Sequence, residues 1–148
     1  MLMLKVHYFL WFGSLAGVLP YTSVFGRQYS SASATDIGIL YTILPFAALL
    51  AKPFACACAD RFAAHKLVFV LSLLLTLLGY GSLLLVPWLS KGSPSSWWLF
   101  CAAVLLANTA MGVVISMSDS FAMREAAAGR ASFGSVRVFG TLGWGLLG

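Results

Sequence analysis

Charge is spaced along this chain so that it leaves stretches a water-soluble fold could not use. Tyr8 to Gly26, Leu67 to Ser90 and Gly92 to Ser118 hold no Asp, Glu, Lys or Arg, and Lys52 alone interrupts Asp36 to Asp60. Crossing about 30 Å of hydrocarbon takes about 20 apolar residues at about 1.5 Å each, and all four stretches are long enough. Hydrophobic residues make up 61% of the chain and charged ones 9%, against about 25% charged in soluble domains. The chain therefore reads as an all-α membrane protein with four transmembrane helices and the start of a fifth. The spans are expected at about 8–25, 37–57, 67–88 and 97–117, with the fifth over 133–148. After Arg137 only eleven uncharged residues follow, so the sequence is expected to end inside that fifth span.

The net charge of +5 would suggest nucleic acid for a soluble protein, but here its distribution reports orientation. With the N-terminus cytoplasmic, the inner segments hold Lys5, Lys52, Arg61, Lys66, Arg124, Arg130 and Arg137, and the outer ones only Arg27 and Lys91. That bias satisfies the positive-inside rule and argues against a nucleic-acid partner. Lys5 before an apolar stretch resembles a secretory signal. No polar break with a small-residue cleavage site follows, so the segment reads as an uncleaved first helix. Cys56, Cys58 and Cys101 form an odd set. Cys56, Cys58 and Asp60 with His65 could be drawn as a zinc site, but small thiols packing at a helix crossing explain them as well, and no metal or cofactor is expected.

Local residues sharpen each span. In the first, Tyr8 and Trp11 suit interface depth, Gly13 and Gly17 would admit a neighbouring helix, and Pro20 should bend the outer end. Asp36 is suited to cap the second helix, which contains Pro45 and Pro53, and the stem of Lys52 could reach the cytoplasmic interface. The leucine- and valine-rich third span should face lipid. Lys91 to Ser96 forms an outer turn flanked by Trp88, Trp97 and Trp98 as an aromatic belt. The fourth span carries Ala103, Ala107 and Ala110 and a packing Asn108. Its helix should continue to about Ala128, where Gly129 breaks it.

Two constellations carry chemistry. Asp119 and Arg137 face each other across the turn between spans four and five. An intramembrane arginine costs roughly 2.5–3.5 kcal/mol to insert and marks a candidate site. An ion pair that only pins the two helices is the simpler alternative. Trp144 lies two helical turns after Arg137, on nearly the same face. A guanidinium fork, a carboxylate and a flat indole suit a polyhydroxylated or ring-shaped solute. The second constellation is the loop Asp60, Arg61, Phe62, Ala63, Ala64, His65, Lys66. Its acid and bases could latch the cytoplasmic face, or simply anchor it.

That loop resembles the major facilitator superfamily signature, roughly G-x-L-A-D-R-x-G-R-R/K between helices 2 and 3. Ala59, Asp60, Arg61, His65 and Lys66 are kept, whereas Cys56 and Ala63 stand at the two glycines and Ala64 at a basic position. The segments from Lys5, from Thr35, from Ser118 and FGSVRVFGTLGWGLLG follow the order and spacing of the lactose-permease-like branch. They are also similar to the animal group called major facilitator superfamily domain-containing protein 6. In that branch an acid precedes an arginine by 18 positions and a tryptophan follows by 7, the spacings of Asp119, Arg137 and Trp144. The resemblance implies that the acid and arginine bind solute hydroxyls and the indole stacks on the ring. Aspartate here is one methylene shorter than the glutamate of that branch.

The resemblance further implies the N-terminal half of a twelve-helix fold, with residues 1–148 as a partial six-helix half and the C-terminal half of the same polypeptide missing. The expected function is secondary active transport of a small polar solute, sugar- or nucleoside-like, coupled to protons and working by alternating access. Asp60, Arg61, His65 and Lys66 would act as the cytoplasmic gating loop, in a multi-pass protein of the plasma membrane. A receptor or scaffold that kept the fold is the alternative. A four-span adhesion protein fits less well because the outer loops are short and cysteine-free, and an enzyme least, because no nucleophile–base or metal set is visible.

Overall fold

The computed structural model describes residues 2–30, 32–88, 94–129 and 132–148. The tip of the outer turn containing Lys91, and Arg130 of the inner charge count, lie outside the described residues. Among the described residues five helices follow in order: α1 (Leu2–Tyr29), α2 (Ala34–Arg61), α3 (His65–Ser82, continued by a 3₁₀ segment Leu83–Trp88), α4 (Pro94–Ala127) and α5 (Phe133–Leu147). Among the described residues there is no strand. Four of the helices, over Leu2–Tyr29, Ala34–Arg61, His65–Trp88 and Ser95–Ala127, are, among the described residues, long and apolar enough to cross a membrane. All four overrun the expected spans because a helix continues into the interface for as long as its ends find partners.

Those ends are built from identifiable residues. Ser33, rather than Asp36, is the N-cap of α2. The Ser33 hydroxyl oxygen accepts from the Asp36 N–H at 3.1 Å, and Asp36 Oδ2 accepts from the Ser33 N–H at 3.0 Å. This reciprocal capping box puts Asp36 at the third helical position, where it faces the positive end of the helix dipole. At the other end Phe62 is the C-cap, Ala63 turns left-handed with φ of 49°, and the Ala64 N–H donates to the Ala59 carbonyl at 2.9 Å. That is a Schellman closure, with alanine at the position that favours glycine. Gly129, with φ of 70°, stops α4.

The chain packs as two units, Phe25–Met117 and Met1–Val24 with Ser118–Gly148. In the first, Leu40, Leu44, Leu83, Val86, Phe100, Ala103 and Val104 form a buried cluster. Close approach is bought with small residues: a methyl placed on Gly79 would come within 2.7 Å of Ala107 Cβ, and one on Gly26 within 2.5 Å of the Phe100 ring. The third span turns Ser72, Thr76 and Gly79 inward. Leu71, Leu74, Leu75, Leu77 and Leu78 stay outward, so the leucine-rich face is the one left for lipid. Trp88 and Trp98 are exposed, as belt residues should be.

In the second unit Tyr8, Ala122 and Val136 form the core, with Leu4, Phe12 and Phe133 packed around it. Tyr8 is one of the most buried side chains of the molecule, at 1% exposure. Gly13 works as expected: a methyl there would lie 3.1 Å from the Gly143 carbonyl oxygen of α5, whereas Gly17 faces open space. On α5, Gly140 lies under the Phe12 ring and Gly143 under the Phe9 carbonyl oxygen. Backbone cannot yield as a flexible side chain can. Gly143→Ala should therefore lower stability by about 2 kcal/mol, within the range for overpacking, read as a drop in thermal midpoint in detergent. Gly145→Ala, with nothing within 4 Å, should leave that midpoint unchanged or higher, since alanine favours a helix.

Candidate functional site

Asp119 lies near the end of α4 and Arg137 in the second turn of α5. The turn broken at Gly129 returns the chain so that Arg137 Nη1 donates to Asp119 Oδ2 at 3.1 Å. The Tyr8 hydroxyl of α1 donates to the other oxygen, Oδ1, at 2.6 Å. One residue earlier on both helices, His7 Nε2 and Ser118 Oγ share a hydrogen bond of 3.0 Å. Adjacent residues of α1 thus clasp adjacent residues of α4, and the carboxylate is held from two sides. Short, charge-assisted bonds of this kind are roughly twice as strong as neutral ones.

Arg137 spends one of its five donors on Asp119 and is 46% exposed along its side chain, against 26% for Asp119. Its guanidinium also lies 5.8 Å from the centre of the Phe133 ring, a cation–π distance. Arg137 lines a cleft of about 270 Å³ together with Phe12, Gly140, Thr141 and Trp144. Trp144 is 42% exposed, so an indole face is available two turns beyond the guanidinium. Asp119 is not among the lining residues; it reaches the cleft through the arginine it orients. Gly140 and Thr141, between the arginine and the indole, keep that wall low.

Asp119, Arg137 and Trp144 are therefore brought together within one unit. The loop residues belong to the other unit. There Asp60 Oδ1 lies 3.6 Å from His65 Nε2, Asp60 is largely exposed, and Arg61 and Lys66 are exposed on either side of the turn. Cys56 is half-buried and Cys58 exposed. Among the described residues no three His, Cys, Asp or Glu side chains gather as a metal site. Sequence reasoning missed Tyr8, His7 and Phe12. The consecutive polar tips of His7 and Tyr8 at the entrance to an apolar span were the available signal.

Helices of this length and composition define a multi-pass integral membrane protein. The whole chain, residues 1–148, matches the model of the MFS_1 like family, and the chain belongs to that family, within the major facilitator superfamily of transporters. It is similar to the maltose permease of Geobacillus stearothermophilus, with 27% identity over 139 residues that cover 94% of this chain and 33% of the permease. The chain thus spans about a third of the length of that curated relative. No solved structure matches it.

Removing the Tyr8 hydroxyl tests the clasp. Tyr8→Phe keeps the buried ring but deprives Asp119 Oδ1 of its donor, and should cost about 1.5–3 kcal/mol, the range for a hydrogen bond to a charged group. In a thermal-denaturation cycle with Asp119→Asn the two changes should couple by at least about 0.5 kcal/mol. Additive effects would show that the hydroxyl does not hold the carboxylate.

Proposed function

We propose that this chain supplies the N-terminal part of a secondary active transporter that carries a small polar solute, sugar- or nucleoside-like, by alternating access coupled to protons. The observation that carries the reading is the division of labour around Arg137. One donor is held by an aspartate that is itself held by Tyr8, and Arg137 lines a cleft it shares with the Trp144 indole. A staple between helices would have no need of an open cleft beside it. An arginine held from behind is pre-organised, so little conformational entropy is lost when hydroxyls bind to it. The likeness to a maltose permease supports a sugar as the first solute to try, and the family supports transport itself.

In this reading Arg137 donates to solute hydroxyls, Trp144 stacks on the solute ring, and Asp119 orients the arginine and accepts from a hydroxyl when the solute enters. The N-terminus and the Asp60–Lys66 loop lie on the cytoplasmic side of the plasma membrane, where the basic residues gather. Asp60 with His65, and Arg61 and Lys66 beside them, act as the latch that breaks as the two halves of the full transporter rock. The C-terminal half of that transporter completes the cavity.

The test is uptake of labelled maltose, and then of a panel of sugars and nucleosides, by cells expressing the full-length protein. Arg137→Lys keeps the charge but loses the planar fork and should reduce uptake at least tenfold with insertion unchanged. Trp144→Phe should keep part of the activity and Trp144→Ala lose it, and a protonophore should abolish concentrative uptake. Parental uptake by the inserted Arg137→Lys protein would contradict the assignment.

A further inference from the structure

A second concavity lies in the other unit, between α2 and α4. Its volume is about 530 Å³, within the range of about 300–1,000 Å³ typical of small-ligand sites. On α2 it is lined by Asp36, Ile39, Leu40 and Ile43, a spacing that keeps them on one helix face. One span, α3, separates α2 from α4, so the two helices run parallel, and Gly112 of α4 lies against Ala48 of α2. Counting back equally along both helices puts Asp36 level with Phe100. Asp36, Trp97 and Trp98 therefore stand at one end of the concavity. Ile43 and Leu105 stand at the other, about 10–12 Å farther along at about 1.5 Å per residue.

The two ends differ in chemistry. The far end is aliphatic, whereas Asp36 is the one charged group among the described lining residues. The hydrogen bonds that Ser33 donates to its carboxylate both end on Oδ2, which leaves Oδ1 without a partner among the described residues. Those bonds, the hydroxyl's above all, hold the carboxyl below the usual carboxylate range, so the group is charged. Its charge reaches Cys101 in the α4 wall. Trp98 is 68% exposed and Trp97 half-buried, so indole surface is available at the end that carries the acid. An aromatic belt accounts for the indoles alone; it requires neither the carboxylate nor the concavity beside them.

We propose that this concavity binds a single-chain cationic amphiphile, a long-chain quaternary ammonium compound. The ammonium lies between the Asp36 carboxylate and the indole faces, and the alkyl chain runs along Ile39, Ile43 and Leu105. Indole faces attract cations through the ring quadrupole, and aromatic surfaces are the usual means of holding a quaternary ammonium, which has no N–H to donate. A phospholipid fits less well, because no described lining residue is a base that would meet its phosphate. An anionic amphiphile would be repelled by Asp36. Every residue of the site belongs to the unit Phe25–Met117, and the proposal does not rest on the solute assigned to Arg137.

Cys101 lines the same concavity and serves as the reporter. The full-length protein, with every other cysteine replaced by serine, is placed in phosphatidylcholine nanodiscs, and alkylation of Cys101 by N-ethylmaleimide is followed with dodecyltrimethylammonium as the probe. The probe should slow alkylation saturably, whereas dodecyl sulfate and dodecyl maltoside at the same mole fraction in the disc should not. Asp36→Asn keeps an oxygen for the Ser33 cap and should raise the half-protecting concentration at least about twofold. Trp98→Leu should raise it about 2–5-fold, the value of an exposed cation–π contact. The proposal is overturned if the probe gives no saturable protection, if the neutral or anionic amphiphile protects equally, or if either variant is protected at the parental concentration. Alkylation that is slower in phosphatidylcholine than in phosphatidylglycerol discs before any probe is added would also overturn it, by assigning the concavity to a lipid headgroup. A Cys101 that does not react at all would do the same, by showing that the rest of the protein covers the site.

Discussion

The ion pair between Asp119 and Arg137 is the constraint around which the unit formed by α1, the end of α4 and α5 is arranged. An isolated charge in a hydrocarbon-level helix is expensive, and a pair whose remaining hydrogen-bonding capacity is unmet is little better. The structure meets part of that need with Tyr8, whose buried ring packs in the core while its hydroxyl reaches Asp119 Oδ1 at 2.6 Å. The same side chain thus ties apolar packing to the electrostatics of the pair. The clasp at His7 and Ser118 fixes the register of α1 against α4 one residue away.

Bringing α5 close enough for that network requires its glycines. Gly140 and Gly143 sit against Phe12 and the Phe9 backbone, and Gly13 of α1 answers from the other side. In a membrane, helices associate by close packing of small residues and by hydrogen bonds, because lipid tails are as apolar as leucine. The glycines that let the helices touch also leave the low wall of the cleft between Arg137 and Trp144. Packing and the proposed recognition therefore depend on the same backbone.

Much of this was legible in the sequence. Uncharged runs located the spans, because hydrocarbon excludes charge whatever the neighbours are. Gly129 was readable as a stop, and the spacing of Asp119, Arg137 and Trp144 put them within reach of one another. The positions that escaped depend on a neighbouring helix. Tyr8 was legible as an aromatic residue at a span end, but its burial against Ala122 and Val136 was not. Gly13 and Gly17 look alike in sequence, yet α5 meets only the first. Lys52 lies against Gly112 of α4, a neighbour that no property of α2 alone reveals. Ser33 in place of Asp36 as cap is a local matter: the Ser-x-x-Asp spacing offered two capping residues, and the box uses both.

The central claim is that Asp119 and Arg137 form a recognition pair and do more than join two helices. Removing both charges together separates these roles, because a staple replaced by two neutral partners leaves nothing unpaired. The measurement is solute uptake by the full-length protein carrying Asp119→Asn with Arg137→Gln, with insertion and thermal stability checked beside the parent. The account predicts a folded, inserted protein that does not transport. Uptake at the parental level by that double variant would contradict it.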